Sequence, residues 1–457
     1  MSKRLIVVLT LLFVASIACA AYAEVQNIKV SGDIIASGVA RSRFGLRYSV
    51  PDGDKSQFKQ SFLMSQIRLR VDADLTDNVA ATLRLINERV WNGQNDSSSS
   101  GNSKIDLDLA YVTLKEFLYS PLSFVVGRQE IRFGNGLIMG NAKASNGSTN
   151  IPTDLSERKA FDAIRATLNY DPLIIDLLYA KVRQETYGTD DTSNDPISLK
   201  NDISLAGVNA TYALNKNANI AAYYYIKNDK YKNGDTATSG GKSDKVNTIG
   251  TLISGSPIEN MTASFEAAYQ FGKSNTTNEN QKKHDAWALQ GMLDYTFAKV
   301  RTTPTLGASY TYLSGNKVAG EDTRNQGWDP MFYDQKLNNI AYAILPFTNM
   351  SVFNLKGSFK PLDDVTVSAV YGWYDVATKP TTGSSFNSAF SYDGTNVETY
   401  TYTGKRHLGD SIDLTATYDY TEDVQLGLTY GWFRPGEGIQ EKEKDANQLI
   451  GSLKVVF

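Results

Sequence analysis

The stretch FVVGRQEIRFGNG, residues 124–136, decides the fold of this chain. In a β-strand, residues two apart share a face. One face of this stretch is therefore charged, with Arg128, Glu130 and Arg132. The other face is apolar or small, with Val125, Gly127 and Ile131. Residues 66–75 repeat the layout, and strands with one apolar and one charged face are typical of a barrel in lipid with a wet interior.

The same period of two recurs in runs of roughly ten residues, separated by alternately short and long connections. The predicted fold class is all-β: a transmembrane antiparallel β-barrel of about 18 strands, an even number as in bacterial barrels. Both termini and the short turns would then be periplasmic. The long loops at residues 134–160, 314–350 and 377–407 are candidate lids. A soluble β-sandwich also alternates, but the length of the chain and its terminal Phe457 favour the barrel.

The start of the chain has the pattern of a secretory signal peptide. Lys3 and Arg4 precede an apolar run, and Ala21-Tyr22-Ala23 forms a small-x-small cleavage site. The apolar run, residues 5–18, is shorter than the roughly 20 residues of a spanning helix. We expect residues 1–23 to be cleaved and residues 24–457 to form one outer-membrane barrel domain. The single cysteine, Cys19, would leave with the signal peptide.

Arginine is concentrated in the first half of the chain, where 12 of the 17 arginines lie between residues 41 and 183. A barrel of this size holds an aqueous channel, so inward side chains set its chemistry. A guanidinium stays charged and binds carboxylates or phosphates in a fork, so a ladder of arginines favours anions. The predicted pore-lining, anion-binding residues are Arg41, Arg43, Arg68, Arg70, Arg84, Arg128, Glu130, Arg132 and Arg165. The alternative, that these arginines pair with local acids and brace the wall, stays open.

The segments GRQEIRFGNGLIMG, residues 127–140, and FDAIRATLNY, residues 161–170, resemble the alginate-export family of outer-membrane porins. The resemblance implies an eighteen-strand barrel with an arginine-rich constriction, through which an anionic polysaccharide leaves the cell. It also implies that Arg128 and Arg165 point into the pore. The second half departs from the family pattern, because its few arginines lie near turns or loops: Arg301, Arg324, Arg406 and Arg434. This departure weakens the inference of a polyuronate cargo more than that of a pore.

The sequence therefore predicts an outer-membrane porin resembling alginate exporters, which passes anionic solutes or anionic polysaccharide. The alternative is a general or small-anion diffusion porin. A third possibility is a barrel that only encloses a partner protein. Expected partners are the anionic solute or polysaccharide, outer-membrane lipid and, for a polymer cargo, periplasmic export machinery. We expect a monomer with no nucleic acid, cofactor or metal. No enzyme is predicted. A catalytic barrel needs a base, usually His, near a nucleophile or paired acid. The two histidines, His284 beside Asp285 and His407 near Asp410, are expected to be exposed loop residues at outer strand ends.

Overall fold

The structure is a computed structural model that describes residues 27–46, 59–91, 105–142, 151–183, 202–230, 244–275, 281–316, 324–391, 397–442 and 444–457. The predicted signal peptide, residues 1–23, lies outside the described residues. The described strands are β1 (Asn27–Ser42), β2 (Lys59–Thr76), β3 (Val79–Val90), β4 (Asp106–Leu114), β5 (Leu122–Gln129), β6 (Phe161–Asn169), β7 (Leu173–Arg183), β8 (Asp202–Asn215), β9 (Ala218–Lys230), β10 (Asp244–Gly255), β11 (Met261–Asn275), β12 (Gln281–Thr296), β13 (Thr305–Leu313), β14 (Arg324–Asn325), β15 (Met350–Leu362), β16 (Val365–Asp375), β17 (Ser385–Ser391), β18 (Val397–Thr401), β19 (His407–Asp419), β20 (Val424–Pro435) and β21 (Ala446–Val456).

Eighteen of these strands, all except β14, β17 and β18, form one closed antiparallel barrel. Closure is made by β1, in which Gly38 lies opposite Leu63 of β2 on one side and Gly451 of β21 on the other. Every barrel strand therefore has two neighbours, and no edge exposes unpaired backbone groups. The predicted fold class of an antiparallel barrel of about 18 strands is confirmed.

The outer face of the barrel is apolar. Phe265, Leu306 and Leu428 expose 51%, 57% and 53% of their surface there. Several aromatic residues near strand ends are also exposed, namely Tyr310, Trp373, Tyr418, Tyr420 and Tyr430. Such a surface suits the hydrocarbon layer and its aromatic borders. In the described residues, no helix is long and apolar enough to cross a membrane.

The connections alternate in length from one end of the barrel to the other. We call the end with connections such as residues 130–160 and 314–349 the long-loop end, and the end with turns such as residues 77–78 the short-turn end. The hairpin of β17 and β18 lies at the long-loop end, where the Tyr400 hydroxyl donates to the backbone oxygen of Phe44 at 2.7 Å. Tyr400, in the predicted lid at residues 377–407, thus contacts Phe44, which follows β1.

Two of the long connections enter the barrel. The first inward loop, residues 130–160, joins β5 to β6, and its Asn135 side chain donates to Ser264 of β11 at 3.0 Å. The second inward loop, residues 314–349, joins β13 to β15 and contains β14 and the short helix α1 (Asn339–Ile344). In this second loop, Asp329 accepts a hydrogen bond from Lys227 of β9 at 2.7 Å. Segments that reach strands far from their own ends must cross the interior.

The interior therefore contains a packed core, which corrects the expectation of a purely aqueous channel. Apolar side chains of both inward loops, such as Leu137 and Phe332, are buried in one cluster. Phe332 of the second loop packs edge to face on Phe161 of β6, with ring centroids 5.6 Å apart. The wall contributes small residues to this core, among them Ala286 and Ala288 of β12, both fully buried. Small inward side chains let the loops approach the sheet closely. The inward loops therefore fill part of the barrel interior.

Candidate functional site in the lumen

The inner face of β1 and β2 carries two arginines held by nearby carboxylates. Asp33 of β1 lies directly opposite Arg68 of β2, and Arg68 donates to it from Nε at 2.8 Å and from Nη2 at 2.9 Å. Two residues along the same face, Arg70 donates to Asp72 at 2.7 and 2.9 Å. The Arg70 side chain remains 36% exposed, so part of its guanidinium is accessible from the lumen.

Arg41 is fully buried where the first inward loop meets the wall. It donates from Nε to Gln448 of β21 at 2.8 Å and forms an ion pair with Asp154 of the loop. Both ionic side chains are almost inaccessible, at 2% and 4% exposure. Arg41 therefore anchors the loop and is not available to a solute. Arg43 lies beyond β1, in a turn with a φ of 60°, and is exposed.

A second buried anchor was not predicted from the sequence. Glu88 of β3 accepts hydrogen bonds from Gln66 at 2.8 Å, from Ser156 at 2.9 Å and from Arg158 at 3.1 Å. Arg158 also pairs with Asp106 of β4. The only sequence signal for this site was the presence of apolar residues such as Ile151 and Leu155 in a loop that otherwise resembles a solvated connection.

Arg84 of β3 is held by two acids on the interior side. It forms a salt bridge of 2.5 Å with Asp108 of β4 and pairs with Glu130, the first residue after β5. Glu130 was predicted together with these arginines, and in the structure it is the ion-pair partner of Arg84. The Arg84 side chain is 11% exposed, compared with 45% for Glu130.

Arg165 of β6 faces the interior, whereas Arg128 of β5 does not share that face. The Arg165 guanidinium lies over the ring of Phe133, in the first inward loop, and bonds to Asp176 at 2.7 Å. Arg128 lies opposite Asp162, with which it pairs at 3.1 Å. By alternation Arg128 is on the side of Val126, which is 43% exposed on the outer face. The register therefore assigns Arg128 to the outer face at the long-loop end, in contrast to the predicted inward direction.

Arg132 joins the two inward loops. Its Nη1 donates to the carboxylate of Asp334 at 2.6 Å, and Lys159 approaches the same carboxylate at 3.0 Å. The Arg132 side chain is 48% exposed, the most of the paired arginines in the predicted set. Burial, together with the charges of Asp154 and Asp334, raises the pKa of the nearby Tyr342 to about 12. The Tyr342 phenol therefore stays neutral beside these acids.

The electrostatics of the predicted set follow from these pairs. Every predicted arginine except Arg43 has a carboxylate partner, so its positive charge is largely compensated. Of those on the interior side, Arg70 and Arg132 keep the largest exposure. Within the part of the chain that the structure describes, no group of three or more His, Cys, Asp or Glu side chains is arranged to hold a metal ion. His284, expected in an exposed position, is instead buried in β12 at 1% exposure, with Nε2 3.1 Å from Gln270 Oε1.

A closed eighteen-strand barrel with an apolar outer face and an ion-paired interior defines an outer-membrane channel of the porin class. The chain belongs to the alginate export family, whose sequence profile matches residues 38–451. The predicted family is thereby confirmed.

Solved porin structures share the fold. OpdL from Pseudomonas aeruginosa superimposes with a TM-score of 0.55 at 14% identity, over 94% of this chain and 99% of that chain. A BenF-like porin from Pseudomonas fluorescens Pf-5 gives a TM-score of 0.55 at 11% identity, over 95% and 100%. P. aeruginosa OpdK with vanillate gives 0.54 at 9% identity, over 94% and 98%. At these identities the likeness concerns the fold alone. No curated relative matches the chain.

Proposed function

We propose that this outer-membrane channel passes anionic solutes, or segments of an anionic polysaccharide, along the guanidinium groups that remain accessible in its lumen. The observation that carries the proposal is the exposure of Arg70 and Arg132, at 36% and 48%, while each is held in place by an acid. A guanidinium has five N–H donors, and a single carboxylate occupies only two of them in a fork. The remaining donors can bind a passing carboxylate weakly enough to release it.

The inward loops support a cargo of limited width. They occupy part of the interior through the packed core, and the Arg132–Asp334 and Lys159–Asp334 pairs join them to each other. A barrel that sleeves a partner protein would need this space for the partner. The loops therefore favour a channel for a small anion or a single extended polymer chain over a barrel that encloses a partner protein.

A general diffusion porin is the second candidate, and the ion pairing favours it. Arg68, Arg84 and Arg165 each face a carboxylate within hydrogen-bonding distance, so the net field along the wall is weaker than a bare arginine ladder would produce. In that case charge would influence permeation only slightly. The two candidates differ in whether a neutral analogue passes as well as the anion does.

The test is blockade of single-channel current by matched solutes in a planar bilayer. The probes are vanillate and an oligouronate, each compared with a neutral analogue of the same size. We expect the anions to block at lower concentration, and Arg70→Gln to raise that concentration about tenfold, equivalent to roughly 1.4 kcal/mol. Arg89→Gln is the matched control, because Arg89 is exposed and alternates with the interior residues of β3. Equal blockade by anions and neutral analogues would assign a general diffusion porin.

A further inference from the structure

Three lysines form one row across neighbouring strands at the long-loop end. Lys245 of β10 lies directly opposite Lys273 of β11, and Lys273 lies directly opposite Lys283 of β12. All three are exposed. Neighbouring strands are about 5 Å apart, so the row spans roughly 10 Å at the backbone. We call Lys245, Lys273 and Lys283 the lysine row.

The lysine row is on the outer face of the barrel. Four residues along the same strands and on the same side, Ile249, Tyr269 and Trp287 form another cross-strand row, with 52%, 40% and 42% exposure. The opposite side of β11 holds Gln270, which bonds to the second inward loop. At about 3.3 Å per residue, the lysines lie roughly 13 Å beyond the aromatic row, towards the long-loop end. This places three ammonium groups just outside the apolar and aromatic belt, at the level of lipid headgroups.

Without a bound anion, the lysine row should destabilise the barrel, because like charges directly opposite each other in a sheet repel. In the described residues, none of the three lysines forms an ion pair. Asp285 of β12, an acid on the same face, already accepts from the Tyr269 hydroxyl at 2.9 Å and from Arg324 at 3.0 Å. Arg324 itself lies opposite Lys283 in β14 and extends the row of cations.

Strands β5 to β8, further along the same rim, are organised differently. There, Arg128 pairs with Asp162 at 3.1 Å, and Lys181 pairs with Asp202 at 2.7 Å. Outward charges on β5 to β8 therefore alternate in sign and neutralise one another. The contrast indicates that the lysine row is compensated by anions from outside the chain.

We propose that the lysine row binds the phosphate groups of lipid headgroups at the long-loop end of the barrel. Ammonium groups bind phosphate as compact charges with three donors each. Their spacing fits a headgroup with more than one phosphate better than a single phosphomonoester. The exposed Tyr269 and Trp287 below the row would contact the sugar or acyl part of the same lipid. The occupant is therefore a phosphorylated glycolipid rather than an acidic protein.

The experiment measures lipid binding by native mass spectrometry of the refolded full-length mature protein in detergent. The probes are a bisphosphorylated glucosamine glycolipid and its monophosphorylated form, with inorganic phosphate as a competitor. The test variant carries Lys245→Gln, Lys273→Gln and Lys283→Gln. The matched control carries the same change at Lys115, Lys299 and Lys360, which are exposed at the short-turn end.

We expect the native protein and the control to bind the bisphosphorylated lipid more tightly than the monophosphorylated one. The test variant should lose affinity about tenfold, as expected when several charge-assisted contacts are removed. Heat-dependent gel mobility verifies that each variant is a folded barrel. Equal lipid affinity of the test and control variants would overturn the proposal. Displacement of the lipid signal by millimolar inorganic phosphate alone would also overturn it, since the row would then hold free anions.

Discussion

Arg132 and Asp334, which are 202 residues apart in the chain, are joined inside the barrel by a hydrogen bond of 2.6 Å between Nη1 and Oδ2. The same Nη1 also donates to the backbone oxygen of Asp334 at 2.8 Å. One guanidinium thus connects the first inward loop to the second. Because Lys159 binds the same carboxylate, two positive charges share one negative charge at this contact.

Replacement of Asp334 by Asn tests the charge at this contact. Asparagine keeps the shape and a hydrogen-bond acceptor, but it leaves Arg132 and Lys159 without a compensating charge. We expect the anion-to-cation permeability ratio to rise about two- to fivefold, the range equivalent to a partly exposed ion pair. Asp285→Asn, on the outer face, is the control and should leave the ratio unchanged. An unchanged ratio in Asp334→Asn would show that ions do not pass near the contact.

A substitution in the wall of the barrel can shift the second inward loop. A Cβ atom at Gly431 of β20 would lie 3.0 Å from the Cβ atom of Ile340 in α1 and 2.7 Å from Asp413 Oδ1. Gly431→Val should therefore push α1 away from the wall and further into the lumen. We expect a lower single-channel conductance. At Gly427, on the same face of β20, the nearest atom is the Ser452 hydroxyl, which can rotate away, so Gly427→Val is the control. Equal conductance in both variants would contradict this role of α1.

The buried Arg41–Asp154 pair should matter more for stability than the exposed pairs. Arg41→Ala leaves Asp154 buried without its partner, and we expect a loss of about 3–5 kcal/mol in the free energy of unfolding. The double variant Arg41→Met, Asp154→Leu should recover most of this loss, because it removes both charges. Arg70→Ala should cost only about 0–1 kcal/mol, since that pair is partly exposed. Urea unfolding in lipid vesicles measures all three, and equal losses for Arg41→Ala and Arg70→Ala would refute the distinction.

Much of the wall of the barrel was predictable, because each strand repeats one simple alternation. The direction of a face was harder to predict where alternation is ambiguous. In β5, Phe124, Val125 and Val126 are all apolar, so either parity could have faced lipid. In the structure Val126 is exposed on the outer face, and the strand register gives Arg128 the same parity. Alternation also failed beyond the end of the strand. Because β5 ends at Gln129, Glu130 and Arg132 lie in the first inward loop and do not share a face with Arg128.

The inward loops were less predictable, since their contacts are long-range. Asp334 and Lys159 are ordinary loop residues in the sequence, and only the fold brings them to Arg132. The Glu88–Arg158 pair was missed for the same reason. The apolar run at residues 137–139 was the available signal, because a fully solvated loop has no use for three consecutive apolar side chains.

Gly127, within residues 124–136, has a backbone conformation that only glycine adopts without strain. Its φ is 125°, and a Cβ atom there would lie 2.2 Å from the backbone oxygen of Ala110 in β4. Gly127→Ala should disrupt the pairing of β4 with β5. The backbone strain alone should cost about 1–3 kcal/mol, and the clash with Ala110 adds to this cost. We expect a reduced fraction of heat-modifiable barrel after refolding. Gly451→Ala, where no heavy atom lies within 4 Å, should fold normally. Normal refolding of Gly127→Ala would contradict the described register.

The reversal potential in a planar bilayer under a KCl gradient tests the central claim most directly. The measurement compares the native protein, the double variant Arg70→Gln, Arg132→Gln and the control Arg89→Gln. An anion-permeable lumen predicts chloride preference in the native protein and the control, and loss of that preference in the double variant. Cation preference, or a preference unchanged in the double variant, would contradict the claim that accessible guanidinium groups select the cargo.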